Sequence, residues 1–120
     1  MKRIYWVSRH NPHSSQVEAL SKLFFCNVSI FRHDKPFRDA EEIIERFKDG
    51  NFDDLVVVAP LSVLDRLCQL GVKPLWAKCE VCLPADSQWG TFGRLYKFIE
   101  FRRIEKLELQ TSDAKPGGWR

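Results

Sequence analysis

Asp54-Leu55-Val56-Val57-Val58-Ala59 (DLVVVA) decides the fold. A continuous Val-rich run between polar turns reads as a strand buried on both faces, and such strands sit in the middle of parallel sheets. The segments on either side alternate in kind. Lys2 to Ser8 (KRIYWVS) is rich in β-branched and aromatic residues and predicts a first strand. Ser15 and Glu18 have the spacing of a capping box, and Val17, Leu20, Leu23 and Phe24 then share one helical face. Asn27 to Phe31 predicts a second strand, and Arg32 to Pro36 a polar turn. Asp39 and Glu42 open a second helix with Ile43, Ile44 and Phe47 inward, and Asp49-Gly50-Asn51 ends it.

After the central run, Ser62 and Asp65 form a third capping box, with Leu64, Leu67 and Cys68 on the inner face and Gly71 at the stop. Val72 to Lys78 predicts a fourth strand, which Pro74 moves towards an edge or a strand start. The alternation β-α-β-α-β-α-β implies a Rossmann-like α/β sandwich of three layers with right-handed crossovers and a parallel sheet in the order 2-1-3-4. Pro84 to Gly93 reads as a loop. Arg94 to Phe101 and Ile104 to Gln110 alternate as one or two further, antiparallel strands, either on the main sheet or as a separate hairpin. Residues 1–110 are expected to form one domain and 111–120 a flexible tail.

Composition bounds the function classes. The chain has 120 residues, 44% hydrophobic and 29% charged, ordinary for one globular core and unlike a disordered chain. A net charge of +3 is too small for a protein that wraps a duplex, although it permits a local anion pocket. Basic character concentrates near the N-terminus, where Glu18 and Asp34 are the only acids in the first 38 residues. No apolar run is long enough to span a bilayer, and the N-terminus begins as a strand rather than a signal peptide. A cytoplasmic protein with reduced thiols is expected.

In an open parallel sheet, ligands bind beyond the carboxyl ends of the strands, where strand order reverses. Order 2-1-3 places that crevice between the first and third strands. Ser8, Arg9, His10 and Asn11 reach it from one side, and Pro60, Leu61 and Ser62 from the other. Arg32, His33 and Lys35 rise beside them from the second strand, and Lys78 from the fourth. Arg9 can fork onto a phosphate, His10 can move a proton near neutrality, and Ser8 offers a hydroxyl. Helix N-termini aimed at the same edge favour an anion. The competing reading is that Arg9 and His10 are solvated loop residues.

His10, His13, His33 and Asp34 match no metal-ligand spacing, so no metal and no cofactor is expected. Cys79-Glu-Val-Cys82 has the CxxC spacing of redox and zinc sites. It follows a fourth strand rather than opening a helix, and Cys26 and Cys68 stand alone, which favours inert thiols. Trp89 to Gly93 reads as a connecting loop before a lid, and Tyr5, Trp6 and Trp76 as core before base-stacking residues. No Gly-rich phosphate loop, GxSxG elbow or carboxylate pair is present, which argues against a nucleotide triphosphatase, a dinucleotide enzyme and an α/β-hydrolase.

The sequence Val7-Ser8-Arg9-His10 before a helix, then Asp54 to Pro60 running into a helix that ends Cys68-Gln-Leu-Gly71, resembles the small CRISPR-associated ring nucleases built from one CARF-like domain. It departs from their pattern at Asn11-Pro12, in the longer segment from Asn27 to Asn51, and in lacking an Arg-Gly pair after the fourth strand. The resemblance implies an antiviral homodimer that binds a cyclic oligoadenylate, cyclic tetra-adenylate in the first instance, and degrades it without metal. It implies that Arg9 holds phosphate oxygens, that His10 protonates the leaving 5′-oxygen and that Ser8 orients the phosphate or the 2′-hydroxyl. A non-catalytic nucleotide- or protein-binding module of the same fold, and a purely structural accessory protein, are the alternative readings.

Overall fold

The computed structural model describes residues 1–33, 35–91, 93–108, 111–114, 116 and 117, with Thr91 in its backbone only. The elements run β1 (Lys2–Val7), α1 (Ser14–Phe24), β2 (Val28–His33), α2 (Ala40–Asp49), β3 (Asp54–Val57), α3 (Leu61–Gln69), β4 (Leu75–Val81), a 3-10 turn (Pro84–Asp86), β5 (Trp89–Thr91) and β6 (Arg94–Arg103). They form one mixed sheet in the order β2-β1-β3-β4-β6-β5. The first four strands run parallel to one another, and β6 and β5 are antiparallel additions beside β4. The expected order 2-1-3-4 is thus one part of a larger sheet, and the C-terminal strands extend that sheet.

Alternation in β1 sends its side chains into two cores. Ile4 and Trp6 meet Leu20 of α1, Val56 and Leu75 on one face. Tyr5 and Val7 meet Ala40 and Ile43 of α2, Leu55, Val57, and Leu64 and Leu67 of α3 on the other. Helices therefore cover both faces, as the Val-rich run requires. Tyr5 stacks on Phe52 with ring centroids 4.9 Å apart.

Several local expectations are corrected. The cap of α1 is His13, which accepts from the Ser15 N–H while Gln16 returns a bond to the His13 N–H; Ser15 already lies inside the helix. The inward row is then Gln16 and Leu20, both buried, and the partly buried Phe24, at helical spacing, while Leu23, at its edge, stays 46% exposed. Asp39 does cap α2 through the Glu42 N–H, but the Glu42 carboxylate accepts from the Arg38 N–H, one residue earlier than a capping box requires. At α3 the cap position is Pro60, which offers no side-chain acceptor, and Ser62 falls in the first turn.

The second strand continues through Arg32 and His33, where a turn was expected, because both pair along the full length of β1. Trp89–Thr91, expected in a loop, pairs with β6, and Gly93 supplies the positive φ (+73°) of that connection. Ile104 to Glu108 carry no strand, and Leu109 and Gln110 lie outside the described residues. The tail expectation lies partly outside them as well; 111–114, 116 and 117 hold no helix or strand.

Two features position the site. The β3–β4 pairing comes down to Val56 opposite Leu75, and β4 then continues past the end of β3 from Ala77 to Val81. Five residues of strand overshoot by roughly 16 Å. At the opposite end of the same strands, Arg103 at the end of β6 grips Asp54 at the start of β3 with two bonds of 2.8 and 2.7 Å, and also donates to the Lys73 carbonyl. The Asp54 side chain is nearly buried and Arg103 is 36% exposed. Both bonds hold the Arg103 guanidinium in its charged form, with its pKa above the usual value.

Replacing Asp54 by Ala leaves Arg103 partly buried without its partner. The expected loss is about 2–3 kcal/mol in urea denaturation, below the roughly 3–5 kcal/mol of fully buried pairs because water screens Arg103. A loss under about 0.5 kcal/mol would mean that the pair does not fasten β6 to β3.

Candidate functional site at the carboxyl edge of the sheet

The β1–α1 loop is held by its backbone. The buried Trp6 indole donates to the His10 carbonyl at 2.9 Å, and the His10 N–H donates to Ser8 Oγ at 3.2 Å. From β2, the Arg32 guanidinium donates to Asn11 Oδ1 at 3.0 Å, to the Arg9 carbonyl, and more weakly to the Ser8 carbonyl at 3.5 Å. Three of its five N–H donors are thereby committed to the loop. Arg9 and His10 are exposed, and among the described residues no hydrogen bond or ion pair engages either side chain. A loop fixed through its carbonyls presents a guanidinium and an imidazole to solvent.

Clefts open on two sides of this loop. The larger, about 880 Å³, lies above the short end of β3; Ser8, His10 and Asn11 border it on one side, Trp76, Ala77 and Cys79 of β4 on another. The smaller, about 390 Å³, is bordered by Ser8, Arg9, His10, Phe37 and Pro60. Ser8, His10, Val58 and Ala59 line both. Among the described residues no Asp or Glu lines either cleft, so the local field near the loop is set by Arg9 and favours an anion.

The residues expected at this edge divide accordingly. Ser8, Arg9, His10, Asn11, Pro60 and Leu61 border the clefts. Arg32 does not line them; it organises the loop from below. His33 turns towards α2, where its ring contacts Arg46 and lies 5.7 Å from the Tyr5 ring. Lys35, Ser62 and Lys78 line neither cleft, and Lys78 pairs opposite Glu100 within the β4–β6 ladder. The residues that sequence reasoning missed are Trp6 and the wall formed by Gln16, Gln88 and Trp89. For Trp6 a signal existed, since a buried indole N–H needs an acceptor. Trp89 belongs to a strand too short to show a period, and Gln88 to the bend that leads into it.

Among the described residues no three His, Cys, Asp or Glu side chains gather around one point. His13 is committed to capping α1, and Asp34 lies outside the described residues. All four cysteines are free thiols. Cys79 stands within a strand, and burial pushes its thiol above the usual range, the opposite of a reactive redox cysteine.

No protein-family model, curated protein or solved structure matches this chain. No helix among the described residues is long and apolar enough to cross a membrane.

Two outcomes test this geometry. Arg32→Ala frees the Arg9 carbonyl and Asn11, so the loop amides from Arg9 to Asn11 should exchange with deuterium faster, with a stability loss of about 1–2 kcal/mol; unchanged exchange would show that Arg32 does not hold the loop. For Cys79, the alkylation rate should keep climbing with pH beyond about 8.5, the range of a free thiol. The folded state retains a proton that the unfolded state releases there, so the Cys79 contribution to stability declines as pH rises through that range. A rate that levels off below about pH 8 would contradict a raised thiol.

Proposed function

We propose that the protein binds the phosphodiester of a small nucleotide at the Ser8–His10 loop, that the nucleotide is a cyclic oligoadenylate, and that the protein opens it without metal as a CARF-like ring nuclease. The observation that carries this reading is the pair of unengaged side chains, Arg9 and His10, on a loop whose carbonyls are pinned by Trp6 and Arg32. A loop held through its backbone presents such groups for positioning and charge stabilisation. The choice of cyclic oligoadenylate rests on the Val7-Ser8-Arg9-His10 resemblance.

In the reaction, a ribose 2′-oxygen attacks the adjacent phosphorus and the bond from phosphorus to the 5′-oxygen breaks. The products are a 2′,3′-cyclic phosphate and a 5′-hydroxyl. Arg9 holds the non-bridging oxygens, and His10 in its protonated form gives its proton to the departing 5′-oxygen. The 2′-hydroxyl proton passes to solvent. Ser8 Oγ accepts from the His10 N–H, which leaves the hydroxyl hydrogen to donate to the phosphate. Val58, Leu61 (72% exposed) and Trp76 leave apolar surface at the cleft mouth, suited to a second copy that would share a two-fold ligand.

A second reading, a module that binds the nucleotide without cleaving it, is favoured by one observation. Among the described residues no carboxylate lines the clefts to take the 2′-hydroxyl proton.

Incubation with cyclic tri-, tetra- and hexa-adenylate in excess EDTA, followed by chromatography, separates the readings. Linear products ending in 2′,3′-cyclic phosphate, lost by about 100-fold or more in Arg9→Ala and His10→Ala, are the expected result. An intact ligand that raises the melting temperature selects the non-catalytic module. Neither cleavage nor a thermal shift would remove both.

A further inference from the structure

Gln16 and Gln88 stand on the wall of the larger cleft, and backbone groups orient both. The His13 N–H donates to Gln16 Oε1 at 2.8 Å, and the Phe98 N–H donates to Gln88 Oε1 at 3.0 Å. A backbone N–H can only donate, so the amide atom it meets must be oxygen, and the two flips are settled by chemistry. Gln88 Oε1 accepts a second bond from Ser15 Oγ at 3.2 Å, and that hydroxyl lies 2.8 Å from His13 Nδ1. Each amide is thus fixed through its oxygen, and among the described residues neither Nε2 has a partner.

Gln16 is only 7% exposed. The only sealed side-chain polar atom without a partner among the described residues is Tyr5 Oη, so Gln16 Nε2 keeps an opening, and the cleft is the space that Gln16 lines. A nearly buried NH₂ facing a cavity favours a ligand that accepts. The other walls narrow the chemistry. Trp76 is 42% exposed, and Trp89 lies half-buried with its ring 6.3 Å from that of His13; both line the cleft. Among the described residues no Asp, Glu, Lys or Arg lines it. Its volume falls within the roughly 300–1,000 Å³ of small-molecule sites.

An alkyl chain would leave both amide donors unused, and a sugar calls for acceptors that oriented NH₂ groups do not provide. A flat ring with acceptor nitrogens satisfies the donors and stacks on indole. We infer that the larger cleft seats a purine base, whose ring nitrogens accept from the Gln16 and Gln88 amides while Trp76 or Trp89 covers its face. Ser8 and His10 border this cleft and the smaller one alike, so the inference rests on placing the nucleotide's phosphate at that loop.

Uncharged nucleosides test the base pocket apart from the phosphate. Adenosine and guanosine should quench tryptophan fluorescence saturably, with Kd at least about tenfold below those of cytidine and uridine. Gln16→Glu and Gln88→Glu keep the oxygen that the backbone N–H needs and replace the NH₂ donors by an acceptor oxygen that carries charge, so each should weaken purine nucleoside binding about tenfold. If either variant unfolds, Trp76→Ala and Trp89→Ala replace it, and one of the two should weaken binding by a similar factor. Equal affinity for purines and pyrimidines, or full affinity in Gln16→Glu and Gln88→Glu, would overturn the inference. Purine nucleoside binding without any response to cyclic oligoadenylates would keep the base site and remove the ring-nuclease reading, and cleavage without purine preference would do the reverse.

Discussion

The whole arrangement depends on β1 being buried on both faces between β2 and β3. A strand so placed must send alternate residues into different cores, and Ile4-Tyr5-Trp6-Val7 does this with no polar residue among them. Its position between two parallel neighbours forces the following chain up and over the sheet as α1, while β2 and β3 return on opposite sides of it. The chain order therefore reverses around β1, and the loop after Val7 has no neighbouring crossover above it on the β3 side. The site is a consequence of that topology before any side chain is chosen.

What the side chains add is rigidity from below. Trp6 belongs to the core and Arg32 to the neighbouring strand, yet both reach carbonyls of the same loop. Holding a loop by its carbonyls leaves its side chains unconstrained by protein partners, whereas holding it by Arg9 or His10 would use up the groups that face solvent. The same logic recurs in the cleft wall, where backbone N–H groups bind the oxygens of Gln16 and Gln88 and leave the NH₂ ends. In both places the fold occupies one end of a bifunctional group and leaves the other end for a ligand.

The sequence was legible where burial sets a period. Asp54 to Val57, the three helices and the placement of Ser8 to Asn11 all follow from hydrophobic spacing and turn chemistry. It was less legible where competing caps lay close together. Ser15 and Glu18 have a capping-box spacing, but His13 and Gln16 lie two residues earlier and win, and Gln16 is then nearly buried while Glu18 stays in solvent. Arg32 and His33 look like turn residues, yet pairing with Trp6 and Val7 keeps them in β2 and sends one under the loop and the other towards α2. Trp89 to Thr91 gives no period to read, and only its partner in β6 makes it a strand. The Asp54–Arg103 pair joins residues 49 apart, beyond any local pattern.

The join between β3 and β4 holds a further consequence. It has a single paired register, an ion pair riveting one end, and an open cleft at the other. The β2-β1-β3 part of the sheet and the β4-β6-β5 part thus meet along a seam like two leaves of a book, bound at the spine by Asp54 and Arg103. A molecule lodged between Ser8 on one leaf and Trp76 on the other would act as a wedge or a clasp according to its size. Its presence would register as a change in the angle between the leaves, with little demand on the helices that cover them.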